Sequence, residues 1–535
     1  MLELRRPRCS FTLRALTGAT RTATITVMAP SKVLREDERE FFSTVAQAVF
    51  TNPFSDERIE IDARLMGHAD DGPHEERARR AAEAVAVRIR ELESDRRADV
   101  SLYSGEDREI LSYTFLFDAY HRFNDAFDAL IVEQIDAGES PCAVPFASDA
   151  LTLLRRRGFT AVESVEHFAT FYQIRRAFYF IDGAITGISP CVKELRRNLW
   201  NNIFTSDIRW YDRFLRSRME DFSTLLLGET GTGKGSAAAA IGRSGLIPFD
   251  EKREHFTESF TRAFVPINLS QYPETLIESE LFGHRKGAFT GAVEDHHGIF
   301  ARCSPCGSIF LDEIGEVSAP VQIKLLRVLQ ERLFVPVGSR EELRFRGRVI
   351  AATNRGMAEL RERGAFRDDF FYRLCSDVIV SPPLRQRIAE DPRELDLLLE
   401  RTIARMLGED SAEVAALVRE SIRTQLGDGY AWPGNVRELE QCVRRIVLKR
   451  RYEGDGHLRD DDLRNTLLSG VDSGTLNAQQ VLSAYCTLLH ERLGTYEQVA
   501  RRTGLDRRTV KKYIGQWDGD CADPSPDPAE DTNGS

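Results

Sequence analysis

The stretch "STLLLGETGTGKGSAAAAI" constrains this chain more than any other. A short apolar strand runs into G-x-x-x-x-G-K, Gly228 to Lys234, and then into a run of strong helix formers. Glycine lets backbone amides wrap phosphate oxygens. Lys234 reaches the β- and γ-phosphates, and the helix N-terminus adds its dipole. Strand, loop and helix in that order predict a nucleotide cradle built from Gly228, Glu229, Thr230, Gly231, Thr232, Gly233, Lys234, Gly235 and Ser236. The position after the lysine, usually the Ser or Thr that ligates Mg2+, is Gly235. Ser236 is one step on, turned away by about 100° on a helix. Mg2+ must then lean on the phosphates and on carboxylates elsewhere. "SIFLDE" supplies them, with Asp312 suited to hold the metal and Glu313 to polarise an attacking water.

Around this cradle the texture changes along the chain. From about 36 to 182 the pattern is helical, and one apolar stripe is expected through Leu116, Tyr120, Phe123, Phe127 and Leu130. The short apolar runs "STLLLG", "AFVPINL", "GSIFLDE" and "RVIAATN" then alternate with helical stretches, which predicts a parallel α/β sheet. The expected division is 1–182 helix-rich and regulatory, 183–385 α/β core, 386–455 helical lid, 456–475 linker, 476–517 DNA-binding and 518–535 a disordered acidic tail. At 535 residues the length fits about three or four domains. A formal charge of −11 argues against general nucleic-acid affinity while allowing one basic module. Nine scattered cysteines and no apolar run of membrane-spanning length predict a cytoplasmic protein with reduced thiols. The Arg- and Thr-rich opening lacks the apolar segment of a secretory signal, and a true start at Met28 is expected.

A second feature needs explaining. Gly287, Ala288, Phe289, Thr290, Gly291 and Ala292 place an aromatic and a hydroxyl on a hexapeptide bracketed by glycines. With "GETGTGKG", "ETLIESELFGHRKGAFTGA", "GSIFLDEIGEVS", "QIKLLRVLQE", "AATNR", "FRDDFFYRL", "PPLRQR" and "WPGNVREL", residues 183–450 resemble the AAA+ domain of bacterial enhancer-binding proteins, the activators of sigma-54 RNA polymerase. The resemblance implies an α/β AAA+ P-loop NTPase domain with a helical lid, flanked by a helix-rich N-terminal domain and a C-terminal helix-turn-helix. It also implies ATP with Mg2+, a homo-oligomeric ring that is typically a hexamer, and sigma-54 RNA polymerase as partner. Phe289 would make the apolar contact with sigma-54 and Thr290 the polar one. Asn268 would restrain Glu313, Thr353 and Asn354 would form sensor I, and Arg437 sensor II. Arg367 and Arg373 would be arginine fingers for a neighbouring subunit. The family's usual glutamate after the lysine is Gly235 here. Two extra stretches, "TSDIRWYDRFLRSRMED" and "GLIPFDEKREHFTESF", are expected to be surface insertions, and "RCSPCG" a tolerated turn, with a redox switch of Cys303 and Cys306 as the alternative.

"TYEQVARRTGLDRRTVKKYI" has helix-turn-helix grammar. Thr495 can cap a first helix, small Ala500 permits the crossing, Gly504 turns, Asp506 caps the second helix and Val510 anchors it. Arg507, Arg508, Thr509, Lys511 and Lys512 lie on or near its outer face, which predicts contact with double-stranded DNA. In the N-terminal region, Asp118, His121 and Asp125, with Glu163 and His167, can be a bundle metal site or solvated faces. Two rivals stay open: another AAA+ remodeller, independent of sigma-54, and a DNA-binding regulator that holds ATP without turnover.

Overall fold

The computed structural model describes residues 32–517 except 69–71, 73, 217, 409, 410, 428, 453, 455–466, 469, 472, 473 and 475. The expected start at Met28, the tail 518–535 and most of the linker therefore lie outside the described residues. Two compact units are present. The first takes in the described residues up to Thr51, with Asp56–Ala126 and Pro145–Phe168, and the second takes in the rest.

The first unit is helical, as its pattern predicts. Glu36–Phe50, Asp56–Met66, His74–Ser94, Gly105–Arg122 and Ala147–Arg156 bury Phe42, Ile61, Val85, Phe115 and Leu154. The apolar stripe needs correction, because the helix ends at Arg122 and a new one, Asn124–Ala137, begins. Asn and Asp favour helix starts over interiors, and "NDAF" supplies both. Phe115 and Phe117 are buried where Leu116 was expected to be. The metal-site alternative also gives way to structural partners. Asp118 is buried and accepts from Arg157 Nη2 at 2.6 Å. Glu163 accepts from the Thr160 amide at 2.8 Å, capping its helix. Among the described residues no group of three His, Cys, Asp or Glu side chains is placed to hold a metal.

The second unit contains the α/β core. Its sheet has five parallel strands: β1 Thr224–Leu227, β2 Phe264–Asn268, β3 Ser308–Asp312, β4 Arg348–Thr353 and β5 Asp377–Val380, in spatial order β2-β3-β4-β1-β5. The inner strands β1, β3 and β4 are near-continuous apolar runs because both faces are covered, as in parallel sheets generally, whereas edge strand β5 leaves Val378 and Val380 exposed. Leu225, Ile309, Leu311, Val349 and Ala351 are buried with Leu325 and Val328 of helix Ala319–Glu331. The register aligns Leu227 with Thr353 and Asn268 with Asp312, so the phosphate loop, Asp312 and Thr353 all leave the same carboxyl edge of the sheet. A lid of helices Arg393–Leu407, Ala412–Gln425 and Asn435–Lys449 packs around Leu399, Val418, Trp432 and Val443. Helices Ala478–Leu493, Tyr496–Thr503 and Arg507–Trp517 share a small core of Cys486, Val499 and Val510. No helix among the described residues is long and apolar enough to cross a membrane.

The stretch 245–260 is not a bare surface insertion. It forms a two-stranded ribbon, Phe249–Asp250 against His255–Phe256, and buries Phe249, Phe256 and Phe260. Tyr172 stacks on Phe256 with ring centroids 4.1 Å apart, and the Val144 amide donates to the Glu254 carbonyl at 2.9 Å. Aromatic burial ties the ribbon to residues 138–144 and 169–184. The stretch 205–221 divides: Tyr211 is buried, while Trp210 and Phe214 are exposed.

Candidate active site

Three loops at the carboxyl edge of the sheet build the site. The phosphate loop closes on itself, with Lys234 Nζ donating to the Gly228 carbonyl at 2.8 Å and the Glu229 carbonyl at 2.9 Å. Those carbonyls fold the ammonium back over the loop's own backbone. Burial draws the Lys234 ammonium below its usual range, while Glu313 and Asp312 pull it back up. Burial raises Asp312, with the Glu313 amide (3.1 Å to Oδ1) and Lys234 acting against it. Burial raises Glu313 as well, and the neighbouring Asp312 charge adds to the rise. Two carboxylates held this way, with no ion pair to either among the described residues, are a donor set suited to a divalent cation. Glu313 has φ +56, a left-handed conformation that is uncommon off glycine and collects at functional sites. Asn354 Nδ2 donates to Thr230 Oγ1 at 2.9 Å, linking the end of β4 to the phosphate loop.

The lid presses directly on this loop. The Val436 amide donates to the Gly231 carbonyl at 3.1 Å, and a Cβ on Gly231 would stand 2.2 Å from the Gly434 carbonyl oxygen. Only glycine permits that approach, and its φ of +80 asks for glycine too. Arg437 follows on the same turn, its Cβ 3.0 Å from that position.

Two further residues act here that sequence reasoning missed. Buried Asn435 donates to Glu229 Oε2 at 3.1 Å and to the Thr230 carbonyl at 3.0 Å, while its own Oδ1 accepts from the Leu384 amide at 2.7 Å. Arg385 Nη1 donates to Glu229 Oε2 at 2.8 Å, and this guanidinium holds Glu229 below the usual carboxylate range. The "PPLRQR" and "GNVREL" motifs carried the signal, but it does not reveal which distant carboxylate they meet.

Gly235 has open space: a Cβ there would meet nothing within 4 Å. Alanine should therefore fit, stabilising the chain by about 0.5–1 kcal/mol through helix propensity. A raised melting temperature for Gly235→Ala checks this, and a lowered one contradicts it.

The other expected site residues are placed as follows. Asn268 Oδ1 accepts from the Ser270 amide at 3.0 Å and caps the turn after β2; no hydrogen bond joins it to Glu313 among the described residues. Thr353 is buried at the end of β4 and accepts from the Arg355 amide at 3.1 Å. Arg367 sits at the N-cap position of helix Asp368–Leu374, and Arg373 lies in its last turn. Arg367 is exposed and pairs with Asp369 at 2.7 Å, and Arg373 donates to the Leu329 carbonyl at 3.0 Å. Among the described residues neither makes a hydrogen bond to the phosphate loop.

The hexapeptide loop is pinned at its base and bare at its tip. The Gly287 amide donates to the Ala292 carbonyl at 2.8 Å, closing it, and both Gly287 and Gly291 have positive φ. Arg285 bridges Asp295 and Glu341, each at 2.8 Å. Ala292 is buried, whereas Phe289 and Thr290 are exposed. Phe289 leans edge-on against His284 with centroids 4.8 Å apart.

In the C-terminal helices, Thr495, Gly504, Asp506 and Val510 take the structural positions expected. Asp506 Oδ1 accepts from the Arg508 amide at 2.9 Å, and Gly504 has φ +72. Thr509 is partly used in that cap, donating to Asp506 Oδ2 at 2.6 Å, and Arg507 pairs with Glu497 at 2.9 Å. Arg508, Lys511 and Lys512 are exposed.

A phosphate loop after β1, an acidic pair after β3, a polar end to β4 and a helical lid closing on the loop define an AAA+ P-loop NTPase. Residues 208–379 match the Sigma-54 interaction domain family and residues 392–480 the AAA+ ATPase lid domain family. This stretch of the chain therefore belongs to the sigma-54 interaction domains with their AAA+ lid. It is similar to the Nif-specific regulatory protein of Azotobacter vinelandii, with 41% identity over 50% of this chain and 46% of that protein. The Nif-specific regulatory protein of Klebsiella pneumoniae is 45% identical over 49% of this chain and 44% of its own length. The hydrogenase transcriptional regulatory protein HoxA of Cupriavidus necator is 40% identical over 55% of this chain and 56% of its own. The chain spans about half the length of these relatives.

Proposed function

We propose that this protein is a cytoplasmic, sigma-54-dependent transcriptional activator that hydrolyses ATP as a ring and remodels the closed promoter complex of sigma-54 RNA polymerase into the open one. The single observation that carries this reading is the exposed Phe289–Thr290 tip on a loop built into the same domain as the phosphate cradle. An aromatic that is costly to leave in water, set on a pinned base, waits for a partner surface.

In this reading the phosphate-loop amides and Lys234 hold the ATP phosphates. Glu313 orients the attacking water and takes its proton. Asn354 reports the γ-phosphate from β4, and Arg437 from the lid. Mg2+ would be held by Asp312 and the phosphates, and would supply charge neutralisation at the transferred group. Arg367 and Arg373 would act as fingers that complete a neighbouring subunit's site, a role left open by their contacts with Asp369 and the Leu329 carbonyl. The N-terminal region, 1–182, regulates, and 476–517 binds upstream DNA.

Replacing the sigma factor tests the reading. With ATP and the full chain, transcription should rise only with polymerase carrying sigma-54. Equal stimulation with another sigma factor, or none with sigma-54, would favour the rival remodeller. The DNA module has its own expectation. Lys511→Ala should weaken binding to all sequences alike and lower the salt slope by about 1, as loss of one phosphate contact does. Fluorescence anisotropy over a salt series measures both.

A further inference from the structure

The helix that begins in the phosphate loop, Lys234–Gly242, has nine residues. Its amide end forms part of the cradle, so its placement decides where phosphate oxygens are bound. Its carbonyl end, about 13 Å away, is finished by side chains of helix Ala161–Ala184. Arg176 Nη1 donates to the Arg243 carbonyl at 2.5 Å and Nη2 to the Gly245 carbonyl at 2.7 Å. Gln173 Nε2 donates to the Ser244 carbonyl between them at 3.0 Å. Gln173 is held in turn by Tyr211, whose hydroxyl donates to Oε1 at 2.9 Å. Three successive carbonyls past the helix end are thus bracketed from one neighbouring helix.

The bracket is costly to build. Arg176 is fully buried, and no carboxylate pairs with it among the described residues. Burial pulls its guanidinium down to about 10. Its compensation is the partial negative charge at the carbonyl end of the phosphate-loop helix, with the Tyr172 ring 4.4 Å below and the Phe260 ring at 5.7 Å, and the Glu258 charge adds a smaller pull without an ion pair. Apolar side chains would fill the same space without that desolvation cost. A buried cation placed at this end of this helix makes the helix position depend on residues 169–184.

We propose that Arg176 and Gln173 are positioning residues for nucleotide binding, holding the carbonyl end of the phosphate-loop helix so that its amide end stays in register with the phosphates. This rests on the ATP-binding reading above. It also gives residues 169–184 a physical handle on the ATP site, since any shift of that segment is passed to the helix through these hydrogen bonds.

The test uses the full-length chain, wild type and with Arg176→Met, Arg176→Lys or Gln173→Leu. Affinity for a fluorescent ATP analogue with Mg2+ is measured beside melting temperature and helix content. Arg176→Met should bind about tenfold more weakly, and Arg176→Lys, which keeps the charge, should come back to within about threefold of wild type. A lowered melting temperature with wild-type affinity in the folded Arg176→Met protein would overturn the inference, since a merely structural arginine predicts that result. If Arg176→Met does not fold, Gln173→Leu decides: about threefold weaker binding supports the inference, and unchanged binding overturns it. Failure of the wild-type chain to bind the analogue would overturn the ATP-binding reading itself. Binding by wild type with unaltered variants overturns this inference alone.

Discussion

Glu313→Gln should lower ATP turnover by about 10²–10⁴-fold while leaving ATP affinity within about twofold of wild type. The amide keeps the size of the side chain and its place after β3, but it cannot accept a proton from water. Burial and the adjacent Asp312 already raise the Glu313 carboxyl, which suits a group that takes a proton in the reaction. Lys234 and the loop amides, which bind the phosphates in this account, keep their hydrogen bonds, and Lys234 loses only one of the carboxylate charges that support its ammonium. Steady-state turnover measured beside equilibrium binding separates the two effects. Equal background turnover in both proteins would favour a regulator that binds ATP without hydrolysing it, the reading for which Gly235 is the only support.

Thr290→Ala should have the second large effect, of the opposite kind. Turnover should stay near wild type, since among the described residues none of the loop's hydrogen bonds reaches the acidic pair. Promoter opening should fall by at least about tenfold, about 1.4 kcal/mol of lost coupling. Thr290 is exposed and its side chain makes no hydrogen bond among the described residues, while the Gly287–Ala292 closure at 2.8 Å is backbone only. The fold of the loop should therefore survive the substitution. Permanganate reactivity of promoter thymines, followed with ATPase rate in the same samples, distinguishes a lost contact from a lost engine.

The two predictions draw on features that the sequence displays plainly. Strands β1 to β4 are short apolar runs, and the phosphate loop is a glycine spacing; both are local, so a linear pattern records them, whereas the short, exposed edge strand β5 went unread. The helix-turn-helix was legible for the same reason, since Thr495, Gly504 and Val510 act within one short stretch. What escaped is contact over distance. Asn435 and Arg385 meet Glu229 from 206 and 156 residues away. Periodicity marks Arg385 as a charged helix residue and is silent about the carboxylate it will find. Arg176 escaped more completely, because a buried arginine without a carboxylate contradicts the usual fate of that residue. The ribbon at 245–260 looked like a polar insertion, since its charged turn "DEKRE" outweighs Phe249, Phe256 and Phe260 in any composition window. The break at Phe123 was hidden by an apolar stripe that continues on both sides of it.

The central claim is that ATP hydrolysis drives the Phe289–Thr290 loop against sigma-54. Its most direct test is promoter opening by the full-length chain on closed complexes of sigma-54 polymerase, with ATP compared against a non-hydrolysable analogue at saturating concentration. Opening with ATP alone, and none with the analogue, is the predicted result. Equal opening with both would show that nucleotide binding suffices, and would contradict the account.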